Sequence, residues 1–479
     1  MESAKNNLQL IDTSSEVSNQ EKAFLIQGTD KIPICAENTS KYSLSFRYLS
    51  RRHHNQSAEP VSLLLKNNGD SVELGPCHIL SDSNLDGSGG RLVFTNAVYD
   101  FEGLLGKNKI LKLQAPFHNL PHMLARKNSI KPSFKEYTAN LTYDLNVYKN
   151  LFDEMDSQYG QEQEDVRKYV QRAIINSEGE AFKCFLDDKL NELQHIVVDY
   201  SREEHQHHGF YFRKQLWNFI LCSSLIARTN LKPRGYAGDS EMMRMIYFND
   251  YLGNSTFSKL MHKHAVEHPA AQSVRNRIEL IAELLRKDRI RSGLLPQEKM
   301  KVLSVGCGPA LELQEVLKSP ADCENYHFTL LDQDSLALSE ATALINEIEN
   351  KFNHKVSADY LECSVRTMIF GSKLHQKMGQ FHFIYSMGLF DYLAASVAKA
   401  VLKNLYRLLV PGGKMAIGNF HVMNPSKYYM EYWCDWVLYQ RTEEEFKALL
   451  KNNLSADVSI LFEKTGSQMF LNIKKPADI

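Results

Sequence analysis

The sequence predicts a multidomain chain in which a small β domain and a helical region precede a C-terminal α/β domain with a doubly wound sheet. Three patterns support this fold class. Short alternating runs separated by Asn, Asp and Gly clusters follow residue 25, apolar residues three and four apart dominate 133–287, and apolar strands alternate with helical segments from Lys301 onward. The length of 479 residues also exceeds what one core of roughly 250–300 residues supports.

Composition and charge exclude several classes of protein. The formal net charge of -1 provides no general attraction to nucleic acid or to an anionic membrane, so we expect no nucleic-acid partner. The eight cysteines are scattered without a CxxC pair, which indicates a reducing, cytoplasmic location. The polar N-terminus lacks the features of a signal peptide, and no stretch of ~18 apolar residues predicts a membrane span.

The first part of the chain divides into a tail and a β domain. Residues 1–24 are polar and aperiodic, which is typical of a disordered tail. Residues 25–118 contain the runs YSLSFRYL, VSLLLK and GRLVF, interrupted by turn clusters such as NNGD and DGSGG. This spacing predicts a small β-barrel or sandwich.

The central part, residues 119–291, is predicted to be helical and to act as a lid or a homodimerisation region. A loop with the sequence KPRGYAGDSEMM interrupts it at Lys232 to Met243, and a further helix is predicted over Gln272 to Arg286. The segment SGLLPQ at Ser292 to Gln297 is interpreted as a linker.

Residues 292–479 are predicted to form a parallel sheet with an antiparallel end. The candidate strands KVLSVGC, HFTLLD, HFIYSM and KMAIGNF are separated by helical segments, as parallel crossovers require. The last two runs, Val458 to Phe462 and Met469 to Ile473, are joined by only EKTGSQ. Because that link is too short for a parallel crossover, they must form an antiparallel hairpin at the edge of the sheet.

The first of these strands leads into a candidate ligand site. Gly306-Cys307-Gly308 lets the backbone approach a ligand, and Pro309 suits the first position of a helix whose free N–H groups favour an anion such as a carboxylate. Leu311 stands where a dinucleotide site usually has a third glycine, which argues against that class. Asp332 ends the next strand, where one carboxylate can accept two hydrogen bonds from a ribose diol.

Together with LVPGGKMAIGNF and the terminal hairpin, these features make about Lys301 to Ile473 resemble the Rossmann-like class I methyltransferases. The resemblance implies S-adenosyl-L-methionine as cofactor. It also implies cofactor contacts at Gly306, Cys307, Gly308, Asp332 and the cluster Cys363-Ser364-Val365, which follows the third strand. Asp334 is interpreted as the cap of the following helix.

Several stretches resemble a narrower bacterial family. They are KPRGYAGDSEMM, SVRNR, CSVR, YSMGLFDYL and YWCDWVLYQRTEEE, and the resemblance covers most of the chain after about Asn140. Proteins similar to these make the methyl ester of 3-hydroxypalmitic acid, a diffusible signal between cells. The resemblance therefore implies that the acceptor is the carboxylate of a 3-hydroxy fatty acid or of a similar small acid.

The β domain resembles a degenerate PilZ-type domain. Arg47 and Arg51 have the RxxxR spacing, and SDSNLDGSGG stands in the place of the D/NxSxxG turn. Asp82, Asn84 and Gly87 fit that turn only if Asn replaces the serine. The resemblance implies a cyclic dinucleotide at Arg47 and Arg51, and a solvated basic patch is the alternative.

The reaction implied by the resemblance sets what the site must contain. A carboxylate acceptor is ionised at pH 7 and needs no general base, whereas a protonated oxygen or nitrogen nucleophile would need one, for which His421 or Asp391 are candidates. Arg234 and Tyr236 are predicted to orient an acceptor carboxylate at the sheet's carboxyl edge. Tyr385 opens the segment after the fourth strand, which is expected to face substrate or cofactor together with Ser386, Asp391 and Tyr392, while Phe390 and Leu393 are assigned to the core.

Further candidates lie beyond the fifth strand and in the helical region. Tyr428, Trp433 and Trp436 are interpreted as acceptor contacts or as plain core, and Arg441 as an acceptor contact or as an ion-pair partner of Glu431 or Asp435. His205, His207 and His208 lack the separated third ligand of a zinc site, so no metal is expected. Two alternative functions stay open: a cyclic di-GMP sensor whose methyltransferase fold is not catalytic, and a small-molecule N- or O-methyltransferase.

Overall fold

The computed structural model describes residues 23–40, 43–49, 61–67, 70–81, 89–94, 98–99, 112–113, 124–125, 127–370, 379–450 and 456–477. The chain divides into two compact units, Met1–Ser129 and Ile130–Ile479. The second unit contains both the helical region and the α/β region, so the boundary predicted between residues 291 and 292 stays a proposal.

The first unit contains a closed antiparallel barrel with strand order β1-β2-β3-β6-β5-β4. Its strands are β1 (Ala23–Gln27), β2 (Asp30–Ser40), β3 (Ser43–Tyr48), β4 (Val61–Asn67), β5 (Asp70–Ser81) and β6 (Gly89–Phe94), and β7 (Val98–Tyr99) pairs with β8 (Lys112–Leu113). Leu25, Phe46, Leu63 and Leu92 point inward and are fully buried. Closure leaves no unpaired strand edge, and the predicted β-barrel is confirmed.

The helical region begins the second unit. Its helices are α1 (Pro132–Gln158), α2 (Glu164–Val197), α3 (Arg202–Gln215), α4 (Trp217–Ile220), α5 (Ser224–Leu231), α6 (Ser240–Phe248), α7 (Thr256–Glu267) and α8 (Pro269–Arg291). Pro132 and Pro269 occupy first helical positions, where the missing N–H is tolerated. Ser201 and Glu204 form a capping box that starts α3. The predicted helical region is therefore confirmed.

The core of this region also includes residues from far along the chain. Phe134 is fully buried on α1, and its ring centroid lies 6.3 Å from that of Phe212 and 5.8 Å from that of Tyr432. Tyr432 belongs to a π-helix at Tyr429–Trp433, which follows the fifth strand of the sheet. The helices and the C-terminal segment thus bury their apolar side chains in one core.

The C-terminal region is a seven-stranded sheet with order β11-β10-β9-β12-β13-β15-β14. Its strands are β9 (Met300–Val305), β10 (Tyr326–Asp332), β11 (Ser357–Glu362), β12 (Phe381–Ser386), β13 (Leu409–Phe420), β14 (Asp457–Phe462) and β15 (Gln468–Lys474). Strands β9 to β13 are parallel, and β15 pairs antiparallel with both β13 and β14. The predicted sheet and its antiparallel terminal hairpin are confirmed.

Apolar cores cover both faces of this sheet. The helices are α9 (Leu313–Val316), α10 (Pro320–Asn325), α11 (Ser335–Phe352), α12 (Val365–Phe370), α13 (Ala395–Arg407) and α14 (Glu443–Ala448). Strand β11 was not among the apolar runs picked out by pattern, because it lies at an edge and its side chains are half-buried or exposed. Among the described helices, none combines the length and apolar character that crossing a membrane requires.

Candidate active site

A glycine turn ends β9 and forms the floor of the site. The N–H groups of Gly306 and Cys307 donate to the carbonyl oxygen of Leu331, at 2.8 and 3.0 Å, which ties the turn to the end of β10. Gly306 has φ +67° and Gly308 has φ +55°, a region that side chains rarely adopt. A Cβ on Gly306 would also lie 3.3 Å from the Cβ of Leu389, so glycine keeps the turn open to a ligand.

The helix predicted directly after this turn is not there. Pro309 lies outside any helix, and α9 begins only at Leu313 and spans four residues. The backbone of Ala310 is left-handed, with φ +53°, and this conformation interrupts a helical path from Gly308. The prediction that Pro309 occupies the first position of a helix is therefore wrong. The turn does not lead directly into a helix whose N-terminal N–H groups could bind an anion.

Asp332 closes one side of the turn. Its carboxylate is 8% exposed and accepts hydrogen bonds from the N–H of Gly308 at 2.9 Å and the N–H of Asp334 at 3.0 Å. Burial raises the pKa of Asp332, and these donors oppose the shift. Asp334 caps α11 by accepting from the N–H of Leu336 at 3.0 Å, as predicted. The ends of β9 and β10 are thus joined through one carboxylate.

The segment after β11 contributes the third side of the site. Cys363 is buried, its N–H donates to the carbonyl oxygen of Asp332 at 2.8 Å, and it lines the cavity together with Val365. Ser364 is not among the residues that line the cavity, and its hydroxyl accepts from the N–H of Thr367 at 3.2 Å. Of the predicted cluster, the structure therefore brings Cys363 and Val365 to the cavity.

The RGYAGD loop between α5 and α6 reaches the same edge of the sheet. Arg234 donates to Asp334 at 3.0 Å and to Glu340 at 2.9 Å, and the hydroxyl of Tyr236 lies 3.3 Å from the Asp334 carboxylate. Burial is the main cause of a raised pKa at Tyr236, which lines the cavity. The guanidinium of Arg234 is engaged by two carboxylates, so its role here is to hold the loop against β10 and α11.

These elements enclose a cavity of about 300 Å³. One wall is the glycine turn with Asp332, Cys363 and Val365. The rest of the lining is mostly apolar and comes from α6, α8, the end of β13 and the segments after β12 and β13. It includes Met243, Met387, Leu389, Leu393, Phe420 and Trp436. The cavity lining therefore combines polar groups at the glycine turn with apolar side chains, which suits a ligand that has a polar end and an apolar body.

The segment after β12 was expected to face substrate, and its residues separate into two groups. Tyr385 is fully buried outside the cavity lining, and its hydroxyl donates to Glu312 at 2.7 Å. Asp391 and Tyr392 line the cavity. Asp391 accepts from the N–H of Phe420 at 2.7 Å, and burial raises the pKa of Asp391 to about 7. Asp391 is thus a buried carboxyl that faces the cavity.

The remaining residues of this segment are buried. Ser386 is fully buried, and among the described residues its hydroxyl oxygen has no hydrogen-bond partner. Phe390 and Leu393 are buried in the core as predicted, although Leu393 also borders the cavity.

His421 lies elsewhere. Its Nδ1 accepts from the N–H of Met423 at 3.3 Å, its ring packs edge-on against Phe462, and it does not line the cavity. Of the two candidate bases, only Asp391 is therefore placed where a ligand could reach it.

Residues after β13 also separate into core and cavity. Trp436 lines the cavity and donates from Nε1 to the hydroxyl of Tyr392 at 2.8 Å, whereas Trp433 is buried in the helical core and Tyr428 packs partly buried against that core. Arg441 is buried and donates to the carbonyl oxygen of Phe390 at 2.9 Å.

The predicted pairing of Arg441 with Glu431 or Asp435 is therefore wrong. The backbone carbonyl of Glu431 accepts from Arg213 at 2.9 Å. The Asp435 carboxylate pairs with Arg213 at 2.8 Å and with Lys232 at 2.6 Å.

The histidine cluster has structural partners. The Nε2 of His208 accepts from the N–H of Lys131 at 3.1 Å, and the Nδ1 of His205 lies 3.0 Å from the hydroxyl of Tyr432. His207 is on the same helix, α3. In the described part of the chain, no group of three His, Cys, Asp or Glu side chains has the arrangement of a metal site.

Two buried charged residues escaped the sequence predictions. Glu312 is buried outside the cavity lining, where it accepts from Tyr385, and burial raises the pKa of its carboxyl to about 7. Arg277 on α8 is 5% exposed and lines the cavity. Arg277 lies in the stretch SVRNR, and a cation on the buried face of an amphipathic helix was the available signal.

The predicted cyclic-dinucleotide site is described only in part. Arg47 lies on β3 of the barrel with an exposed side chain. Arg51 and the turn at 82–88 lie outside the described residues.

The region around the glycine turn is similar to a known protein family. Residues 302–413 match a family model described as a methyltransferase domain. No curated protein matches the chain. Among solved structures, the chain is similar to a possible exported protein from Bordetella parapertussis, at 16% identity and TM-score 0.40 over 50% of this chain and 80% of the other.

Two methyltransferase structures are also similar. Magnesium protoporphyrin IX methyltransferase from Synechocystis PCC 6803 with bound SAH is 11% identical, with TM-score 0.33 over 43% of this chain and 86% of that one. A SAM-dependent methyltransferase from Methanosarcina mazei is 17% identical, with TM-score 0.30 over 40% and 97%. With the parallel sheet, its antiparallel end and the glycine turn, the matched family model identifies an S-adenosylmethionine-dependent methyltransferase domain in the C-terminal half of the chain.

Proposed function

We propose that the chain methylates the carboxylate of a hydroxy fatty acid, such as a 3-hydroxy acid, to make a methyl ester that serves as a signal. The observation that carries this proposal is the cavity, whose lining combines the glycine turn with mostly apolar side chains. A long-chain acid has an apolar body and one anionic end, and this cavity offers surfaces for both. The resemblance of RGYAGD and YSMGLFDYL to ester-forming enzymes supports the same acceptor class.

The residues around the turn fit the cofactor. Gly306 and Gly308 keep the turn free of side chains, and Asp332 presents a buried carboxylate at the end of β10. These residues, with Cys307, Cys363 and Val365, would hold S-adenosylmethionine, which supplies an electrophilic methyl group when bound. Tyr236 and the loop around it would exclude water from this edge, and Met387 and Leu389 would position the acceptor.

The proposal is tested by product identity. We expect the purified full chain, incubated with isotopically labelled methyl donor and a long-chain 3-hydroxy acid, to yield a labelled methyl ester detected by mass spectrometry. Mild alkaline hydrolysis should release the label, because esters are cleaved under conditions that leave methyl ethers and amines intact. A labelled product that resists alkali would contradict the ester assignment.

The pH dependence distinguishes this reaction from N- or O-methylation. A carboxylate acceptor with a pKa near 4 stays ionised, so the rate should change little from about pH 6 to 8. The second candidate is favoured by Asp391, a residue of the cavity lining whose carboxyl has a pKa raised to about 7 by burial. A base acts when deprotonated, so that mechanism predicts a rate that rises through pH 7 and is lost in Asp391→Asn.

For the N-terminal barrel we propose a PilZ-like role in binding a cyclic dinucleotide. Support comes from its closed six-stranded form and from the exposed position of Arg47 on β3. We expect cyclic di-GMP to bind the full chain and Arg47→Ala to weaken that binding by roughly 10-fold or more, since a charged contact to phosphate is lost. Calorimetry measures the affinity, and equal binding by both proteins would contradict the assignment.

A further inference from the structure

Arg277 is a buried cation whose contacts are all with neutral groups. Its Nη1 donates to the carbonyl oxygen of Met387 at 3.2 Å, and its Nη2 lies 3.4 Å from the sulfur of Met243 and 3.4 Å from the hydroxyl of Tyr247. Within the residues that the structure describes, its buried Nε has no hydrogen-bond partner. Burying a charge without an opposite charge beside it costs free energy. An anion bound to the Arg277 guanidinium would offset that cost.

Two other arginines of the same unit, half-buried Arg228 and buried Arg441, have partners within the protein. Arg228 pairs with Asp239 at 2.7 Å, and Arg441 donates to the carbonyl oxygens of Phe390 and Leu393. In the described part of the chain, neither Arg277 nor Arg441 forms a salt bridge, but of these three arginines only Arg277 has a buried guanidinium nitrogen without a hydrogen-bond partner. The difference is that Arg277 borders the cavity, where a ligand can supply the missing partner.

A glycine and two carboxyl groups are neighbours of Arg277. Gly388 lies beside it on the cavity wall, and a Cβ at that position would lie 3.2 Å from Nη1. Glu312 and Asp391 are the nearby acidic groups, and burial raises the pKa of each to about 7. The raised pKa values favour the neutral forms of both carboxyls, which weakens their competition with an added anion.

We propose that Arg277 is the residue that binds a carboxylate inside this cavity, supplied by the acceptor acid or by the methionine part of the cofactor. The planar guanidinium presents parallel N–H donors that match the two oxygens of a carboxylate. This inference rests on the proposed function and deepens it, because it names the group that recognises the acid. Arg234, which is occupied by Asp334 and Glu340, is not available for that role.

The test measures binding, so it does not depend on turnover. Arg277→Met removes the charge and keeps a side chain of similar length. Arg277→Lys keeps the charge but lacks the paired N–H donors of the guanidinium. Arg286→Met, on the exposed face of α8, is the matched control. Gly388→Ala is a second route to the same site, because it crowds the guanidinium and leaves the arginine in place. Thermal unfolding establishes that each variant is folded.

Calorimetry with four probes distinguishes the two sources of carboxylate. If the acceptor supplies it, Arg277→Met weakens binding of a long-chain 3-hydroxy acid roughly 10–100-fold and leaves the 1,3-diol of the same length unaffected. If the cofactor supplies it, the variant weakens S-adenosylhomocysteine roughly 10–100-fold and leaves 5′-methylthioadenosine, which lacks the carboxylate, unaffected. Gly388→Ala should weaken binding of the same probe. The affinity of Arg277→Lys for that probe should lie between those of the parent protein and Arg277→Met.

Unchanged affinity for both carboxylate probes in folded Arg277→Met would overturn the proposal. The proposed function fails differently. If the acid binds in an Arg277-dependent manner but no methyl ester forms, the acceptor chemistry is wrong while the carboxylate site stands.

Discussion

Asp332→Ala is expected to weaken the binding of S-adenosylmethionine by about 1.5–3 kcal/mol, the range for losing charged hydrogen bonds. Asp332 is 8% exposed, lines the cavity and ends β10 beside the glycine turn, where a ribose diol would meet its carboxylate. In the structure it also accepts from the N–H of Gly308, so the turn and the ligand share one acceptor. Isothermal calorimetry measures the change directly.

Asp359→Ala provides the matched control for this measurement. Asp359 lies on the neighbouring strand β11, and its side chain is 70% exposed. Its removal should leave the cofactor affinity within experimental error. An Asp332→Ala protein that is folded and binds the cofactor as tightly as the parent would remove Asp332 from the site.

Phe134→Ala is expected to lower the free energy of unfolding by about 3–5 kcal/mol, the range for emptying an aromatic site in a core. The Phe134 ring is fully buried and contacts aromatic rings from α3 and from the π-helix after β13. Because these elements share one core, the helices and the sheet of Ile130–Ile479 should lose stability together, in a single transition.

Denaturant unfolding followed by far-ultraviolet circular dichroism and by tryptophan fluorescence tests this expectation. Tyr143→Ala on the same helix is the control, because Tyr143 is 70% exposed and such changes usually stay within about 0.5 kcal/mol. Two separate transitions within Ile130–Ile479, with Phe134→Ala shifting only one of them, would show that the helical region and the sheet are independent domains. Equal effects of the two substitutions would contradict the role of Phe134 in the core.

Much of the architecture followed from local patterns. Hydrophobic periodicity separated the barrel, the helices and the parallel sheet, and the short EKTGSQ link required the antiparallel hairpin that β14 and β15 form. Positions that require an unusual backbone conformation could also be predicted, since Gly306 and Gly308 do adopt left-handed φ values. The helical start at Pro309 was wrong, because the left-handed Ala310 has no signature in the sequence.

The sequence by itself determined the order of elements, the glycine turn and the carboxylate that ends β10, because each depends on neighbours in the chain. Only the tertiary structure decided which polar side chains face the cavity. It placed Tyr385 in the core, His421 outside the site, Arg234 in two ion pairs and Arg277 at the cavity wall. Those outcomes depend largely on contacts between residues far apart in the chain, such as Tyr385 with Glu312, Arg234 with Asp334 and Arg277 with Met387, and local periodicity carries no information about such pairs.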